Sequence, residues 1–240
     1  MPPAPLSPPA SMPLPLPPAR PDPVALGPQH TAQVLPLLIA GQIALHGAMA
    51  GQRMAAPLQA LQAGHSAWAV GVLLALFAAL PVLTAMAAGR MADRHGYHRP
   101  VHLAIALTML GAACAVAACW LPGWWQFGLN CLGAAASGVG TNVGLITIQR
   151  SASQLVSTSI DRLRVFSWLG MAPSLANVVG PVAAGLMIDA GGFAAAYTLL
   201  LLMPVVSIAV AHRVPRRPGP PRSVAREPGR AAGTCCRPPA

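Results

Sequence analysis

Three histidines at helical spacing suggest metal binding. His95, His98 and His102 are three and four residues apart, which places their side chains on one face of a helix. Pro100 interrupts the segment, and no cysteine or carboxylate joins the histidines at a spacing that suits zinc. We therefore expect no metal site. No nucleophile or phosphate-binding loop stands out elsewhere, so we also expect no enzyme and no cofactor.

Polar side chains also occur inside otherwise apolar stretches. His46 is the only histidine well inside such a stretch, and imidazole titrates near neutral pH. Proton coupling is one hypothesis for this residue, and a hydrogen-bonded packing role is the alternative. Gln42 lies one helical turn before it. Together with Asn130 and Asn142, these two residues are candidates to line a polar cavity or to hold helices together.

An acidic residue lies within a basic segment. Asp93 has three arginines within six positions, namely Arg90, Arg94 and Arg99. Gly89 and Gly96 bracket Asp93 and would allow helix ends to approach closely. We expect these arginines to neutralise part of the Asp93 charge at a membrane boundary, and the alternative to a functional role is a loop that only fixes orientation in a membrane.

The composition shows which elements must position these residues. The chain has 240 residues, of which 55% are hydrophobic and 8% charged, whereas soluble domains carry about 25% charged residues. This excludes an ordinary cytosolic enzyme, a disordered regulator and a nucleic-acid-binding domain. Six stretches without formal charge are long enough to span a bilayer: Ala32–Gln52, Ala67–Ala88, Val101–Leu121, Trp124–Thr147, Phe166–Ile188 and Phe193–Val210. We expect an all-α integral membrane protein with six transmembrane helices.

The arginines predict the orientation. All 15 basic residues are arginine, and with six spans every one except Arg53 lies on the side of the two termini. Cytoplasmic loops carry the excess of basic residues. We therefore expect a multi-pass protein of the cell (inner) membrane with both termini in the cytoplasm.

The two ends differ in composition from the spans. Residues 1–31 are rich in proline and residues 213–240 in arginine and proline, so both are expected to be disordered around a folded region at 32–212. A signal peptide cleaved near Ala48–Ala50 is an alternative, but the long, nearly uncharged stretch before it is atypical. The five cysteines have no spacing that suits zinc or a disulfide framework.

A ten-residue pattern occurs twice. Residues 87–96 and 183–192 share A-A-G-x-M-x-D-x-x-G. The copies follow the second and fifth predicted spans, so three helices separate them and place them on opposite faces of the membrane. This predicts two inverted three-helix repeats, an arrangement that many secondary transporters share.

The segment 89–99, which contains Gly89, Asp93, Arg94, Gly96 and Arg99, resembles the loop signature between the second and third helices of the major facilitator superfamily. The resemblance covers about residues 32–212 and implies the N-terminal six-helix half of that fold. In the family, the aspartate and its basic neighbours are implied to latch the cytoplasmic side, partly against a helix of the other half.

A second resemblance lies in the fifth predicted span, where glycine and proline are similar to the signature of antiporters in this superfamily. The residues concerned are Gly170, Gly180, Pro181 and Gly185. The fourth span departs from the family, with Ala134 where an arginine is often found, and no span contains a carboxylate. The resemblance in the fifth span indicates efflux. The missing arginine and the lack of carboxylates argue against proton antiport.

The resemblance implies secondary active transport of a small solute by alternating access, in the direction of efflux. Because one half supplies only part of such a transporter, the expected partners are the lipid bilayer, a small-molecule substrate and a second six-helix half or a second copy. No nucleic-acid partner is expected. The alternative is a membrane protein that does not transport, either an inert truncated half or an assembly subunit.

Overall fold

The structure is a computed structural model that describes residues 28–95, 97–153 and 159–213. The described residues form five helices, which are α1 (Pro28–Gln62), α2 (Ala67–His95), α3 (His98–Ala118), α4 (Gly123–Ser153) and α5 (Ser159–Arg213). The predicted all-helical class is therefore confirmed. The helices pack as a bundle in which α4 contacts all four others.

The count of six separate helices differs from the structure, because the fifth and sixth predicted spans belong to one element. Within α5, Gly192 has φ 76° and ψ −175°, a backbone conformation that only glycine adopts without strain. The chain reverses at this residue: Gly180 lies against Gly51 before it, and Ser207 hydrogen-bonds to Gly41 after it. Helical segments flank Gly192 directly on both sides, so the two form one continuous element.

Among the described residues, four helical segments are long and apolar enough to cross a membrane. They are Ala67–His95, His98–Ala118, Gly123–Ser153 and Val165–Ala209. The first helix is not among them, although the sequence predicted a span at 32–52. It carries buried glutamines at positions 42, 52 and 59.

The first helix is also longer than the predicted span. It continues to Gln62, so Arg53, which the sequence analysis assigned to a loop, lies inside α1. At its other end α1 begins at Pro28, within the predicted disordered region 1–31. The remainder of that region and residues 214–240 lie outside the described residues.

Small residues allow the helices to pack closely. A Cβ atom added to Gly111 of α3 would lie 2.6 Å from the carbonyl oxygen of Gly133 on α4, and one added to Gly133 would lie 2.8 Å from that of Gly111. Gly140 approaches Ala104 of α3 in the same way, at 2.7 Å. Close approach of this kind is typical of helix packing in membranes.

The bundle has two chemically distinct ends. We call one the tryptophan end, where the exposed residues Trp68, Trp120, Trp124 and Trp125 lie at helix termini. We call the other the arginine end, where Arg90, Arg94, Arg99 and Arg150 are exposed. Tryptophan concentrates at membrane interfaces and arginine on the cytoplasmic side, so the two ends are consistent with the two faces of a bilayer.

Candidate functional site

At the arginine end, an ion pair joins two helices. The guanidinium of Arg150, in the last turn of α4, contacts the carboxylate of Asp93, near the end of α2. The two side chains are 48% and 45% exposed. Exposed pairs of this kind contribute about 0.2 to 1 kcal/mol, so this contact can open at low cost.

The other described residues of the loop pattern take no part in this ion pair. Gly89 has no neighbouring atom within 4 Å of an added Cβ, and Arg94 and Arg99 are exposed. Gly96 lies outside the described residues. The sequence analysis did not anticipate Arg150 as the partner of Asp93, because the two are far apart in sequence.

The histidines near this end bond to the backbone or stack with one another. His102 Nδ1 lies 2.7 Å from the carbonyl oxygen of His98, and the rings of these two residues are 6.3 Å apart. Within the part of the chain that the structure describes, no three histidine, cysteine or acidic side chains come together as metal ligands would.

Two of the four proposed cavity residues contact each other. The Gln42 amide donates a hydrogen bond to Nδ1 of His46 over 2.7 Å, and both side chains are buried. The Gln42 carbonyl oxygen has no hydrogen-bond partner among the described residues. His46 is therefore hydrogen-bonded within its own helix.

Asn130 belongs to a separate polar cluster near the tryptophan end. Its amide donates to the side-chain oxygen of Gln59 at 3.0 Å, and the hydroxyl of Tyr197 donates to the same oxygen at 3.0 Å. The Gln59 amide in turn donates to the Cys119 sulfur at 3.5 Å. We call Gln59, Asn130, Tyr197 and Cys119 the glutamine cluster. It joins α1, α4 and α5 to the end of α3.

The sequence analysis missed Gln59 and Tyr197. It ended the first span at Gln52, which placed Gln59 in a loop. A signal was present, because Gln52 and Gln59 are seven residues apart and so lie on one face of a continuous helix. The fourth predicted cavity residue, Asn142, donates instead to the carbonyl oxygen of Pro81 at 2.9 Å. It lies 12 residues, or about 18 Å of helix, from Asn130, so the four candidates do not share one cavity.

At mid-length the bundle holds another buried contact. The Ser137 hydroxyl donates to the Gln52 side-chain oxygen at 2.7 Å, and both residues are at most 1% exposed. The Gln52 amide nitrogen has no hydrogen-bond partner among the described residues. This contact fixes the depth of α1 relative to α4.

The glycine–proline residues of α5 differ in their surroundings. A Cβ added to Gly180 would lie 2.9 Å from the backbone nitrogen of Gly51 and 3.1 Å from the Ala50 side chain, so α5 and α1 touch through their backbones here. Gly185 faces the Met54 side chain at 3.6 Å, while Gly170 faces open space. The backbone of α5 stays helical through Pro181 and departs from helical geometry at Gly192.

Comparison with known protein families shows what the chain is similar to. The family model described as Major Facilitator Superfamily matches residues 38–236, which covers most of the chain and includes every described residue named above as a site candidate. No curated protein matches the chain.

Proposed function

We propose, from the premise that this chain belongs to the Major Facilitator Superfamily, that it takes part in the efflux of a small solute by alternating access. The family consists of membrane transporters, and the apolar helices agree with a multi-pass membrane protein. The family match is the observation that carries the proposal. The inner membrane, the cytoplasmic termini and the direction of transport are parts of the proposal.

The ion pair at the arginine end supports the alternating-access part of the proposal. Asp93 and Arg150 hold α2 to α4, and their exposure makes the contact easy to break. Alternating access is largely the rocking or gating of one repeat or bundle against the other around a fixed site. A weak, exposed contact at one end is suited to that movement.

The position of the repeated pattern supports the inverted-repeat part. Asp93 of the first copy lies at the arginine end. Asp189 of the second copy lies three residues before the reversal at Gly192, from which the chain leads directly to Tyr197 in the glutamine cluster. The two copies therefore lie at opposite ends of the bundle, as two inverted three-helix repeats require.

Exposed apolar faces bear on the alternative of a protein that does not transport. The face of α2 exposes Val82, Leu83 and Met86, and that of α5 exposes Val178, Val182 and Leu186. These faces must be covered by lipid, by a second six-helix half or by a second copy of the chain. An inert truncated half would leave them to lipid alone.

Transport by purified protein tests the proposal. We would reconstitute the full chain into liposomes, load a panel of labelled anionic, cationic and neutral solutes, and impose proton or sodium gradients. We expect gradient-driven flux of at least one solute, which Asp93→Asn lowers while the reconstituted amount stays the same. Asp189→Asn removes a carboxylate outside the ion pair and serves as the matched control.

A chain that folds but carries no solute under any gradient would favour the non-transporting alternative. The intact mass of the native product and its oligomeric state in native-lipid particles separate the remaining cases. A particle containing two copies supports a homodimer, and a product of about twice 24.5 kDa supports a covalently linked second half.

A further inference from the structure

The structure places a charged side chain at the middle depth of the bundle. Arg53 belongs to α1 and is exposed. Its neighbour Gln52 accepts a hydrogen bond from Ser137 of α4. Ser137 is 13 residues from Trp124 at the tryptophan end and 13 residues from Arg150 at the arginine end. At a rise of 1.5 Å per residue, each end is about 20 Å away.

Contacts to the other helices give the same depth. Gly51 packs against Gly180 and Leu200. These two residues lie in the two arms of α5, which are the segments before and after Gly192. Gly138, next to Ser137, packs against Phe77 and Pro81 near the midpoint of α2 (Ala67–His95). Contacts with α2, with α4 and with both arms of α5 therefore place Gln52 and Arg53 halfway between the two ends.

The side chain of Arg53 has a defined position around α1. Met49 packs against a cluster that includes Leu73 and Phe77 of α2, and Met54 faces Gly185 of α5. At 100° per residue, Arg53 lies about 40° from Met49 and about 100° from Met54 around the helix. Arg53 is thus directed between α2 and α5, both of which have exposed apolar faces.

No described carboxylate neutralises this charge. Of the acidic side chains that the structure describes, Asp93 pairs with Arg150 at the arginine end, and Asp189 does not pair with Arg53. His46, two turns earlier on the same face of α1, is already hydrogen-bonded to Gln42.

An unpaired guanidinium at mid-depth is costly against lipid tails, so such residues face a water-filled cavity and mark the path of a solute. Arginine binds carboxylate, sulfonate and phosphate groups through charge-assisted hydrogen bonds, often two at once. The flanking methionines offer an apolar, adaptable surface beside the charge.

We propose that Arg53 is the anion-binding group of the solute site, and that the solute is a small organic anion with an apolar body. This inference rests on the proposed function and specifies its substrate class. It assigns Arg53 a role that differs from the topological one suggested by the sequence.

Ligand binding tests the inference independently of transport. We would measure thermal unfolding of the purified full chain with benzoate, benzenesulfonate or inorganic phosphate, and use neutral benzenesulfonamide as the control ligand, since it keeps the ring and lacks the charge. A ligand that binds only the folded state raises the unfolding temperature in a saturable manner. We expect at least one aromatic anion to do so more strongly than phosphate, and benzenesulfonamide to have little effect.

Substitutions at Arg53 identify the binding group. We expect Arg53→Gln to weaken anion binding roughly tenfold to a hundredfold, the range for losing a hydrogen bond to a charged group, and Arg53→Lys to weaken it less. Arg230→Gln removes the same charge from the C-terminal tail and should leave affinity unchanged. Because Arg53→Lys keeps the charge, it provides a second measurement should Arg53→Gln not fold.

The two proposals fail in different ways. Anion binding that depends on Arg53, without flux in liposomes, would support the inference and contradict the proposed function. Flux of a neutral or cationic solute that is unchanged in Arg53→Gln would support the proposed function and overturn the inference. The inference is also overturned if none of the three anions stabilises the wild-type protein, or if Arg53→Gln and Arg230→Gln bind equally well.

Discussion

The two ends of the bundle are held together by different chemistry. At the tryptophan end, the glutamine cluster is buried, and one oxygen of Gln59 accepts hydrogen bonds from Asn130 and Tyr197. At the arginine end, Asp93 and Arg150 form an ion pair that is nearly half exposed. Buried neutral hydrogen bonds in an apolar environment have no competing water, whereas an exposed ion pair competes with water and salt.

The difference indicates which of the two contacts is easier to open. The glutamine cluster joins segments from α1, α4 and α5, so opening it would leave several buried polar atoms without partners at once. The ion pair joins only α2 and α4, and both partners are solvated as soon as they separate. Within the described residues, we therefore expect the Asp93–Arg150 contact to open more easily than the glutamine cluster.

The largest effect is expected for Gln59→Leu. This substitution removes the shared acceptor and leaves the Asn130 amide and the Tyr197 hydroxyl buried without it, which should lower the free energy of unfolding by about 1 to 3 kcal/mol. Reversible unfolding in mixed micelles measures the change. Gln62→Leu, an exposed position on the same helix, is the matched control and should change stability by less than about 0.5 kcal/mol. Equal effects at the two positions would contradict the assignment of a buried cluster.

A smaller effect is expected for Tyr197→Phe. The ring remains stacked with Phe193 and only the hydroxyl is lost, so the cost should be about 0.6 to 1.7 kcal/mol, the range for single side-chain hydrogen bonds within membranes. The same unfolding assay applies, with Tyr97→Phe as the matched removal of a hydroxyl outside the cluster. A loss larger than that of Gln59→Leu would show that Gln59 is not the centre of the cluster.

The smallest effect on stability is expected for Asp93→Asn. The exposed pair contributes about 0.2 to 1 kcal/mol, and raising the salt concentration should reduce the difference between wild type and variant. The double variant Asp93→Arg/Arg150→Asp reverses the pair and should recover the wild-type salt dependence. If Asp93→Asn were as destabilising as Gln59→Leu, the proposed contrast between the two ends would be wrong.

The sequence predicted the class of fold and the positions of most helices because apolar length is a strong signal in a membrane protein. The prediction failed where polar or charged residues lie inside a helix. Arg53 was taken as the end of a span, yet α1 continues nine residues beyond it. A helix can carry such residues when neighbouring helices shield or hydrate them, and this depends on tertiary contacts that a single stretch of sequence does not contain.

The candidate site residues show the same limit. The sequence identified Asp93 from its local pattern but not its partner Arg150, which is 57 positions away. It grouped Gln42, His46, Asn130 and Asn142 because all are polar residues in apolar surroundings. Composition gives neither depth nor direction, so Asn130 was assigned to one cavity with Asn142, which lies about 18 Å of helix away.

The position of α1 between the two arms of α5 has a consequence for biosynthesis. The first helix emerges from the ribosome before its partners, and Gln59 and Tyr197 are separated by 138 residues. At a synthesis rate of about 5 to 20 residues per second, Gln59 waits roughly 7 to 28 seconds for the tyrosine that it binds. The least apolar of the described helices thus completes its contacts with α5 only after the C-terminal part of that element has been synthesised.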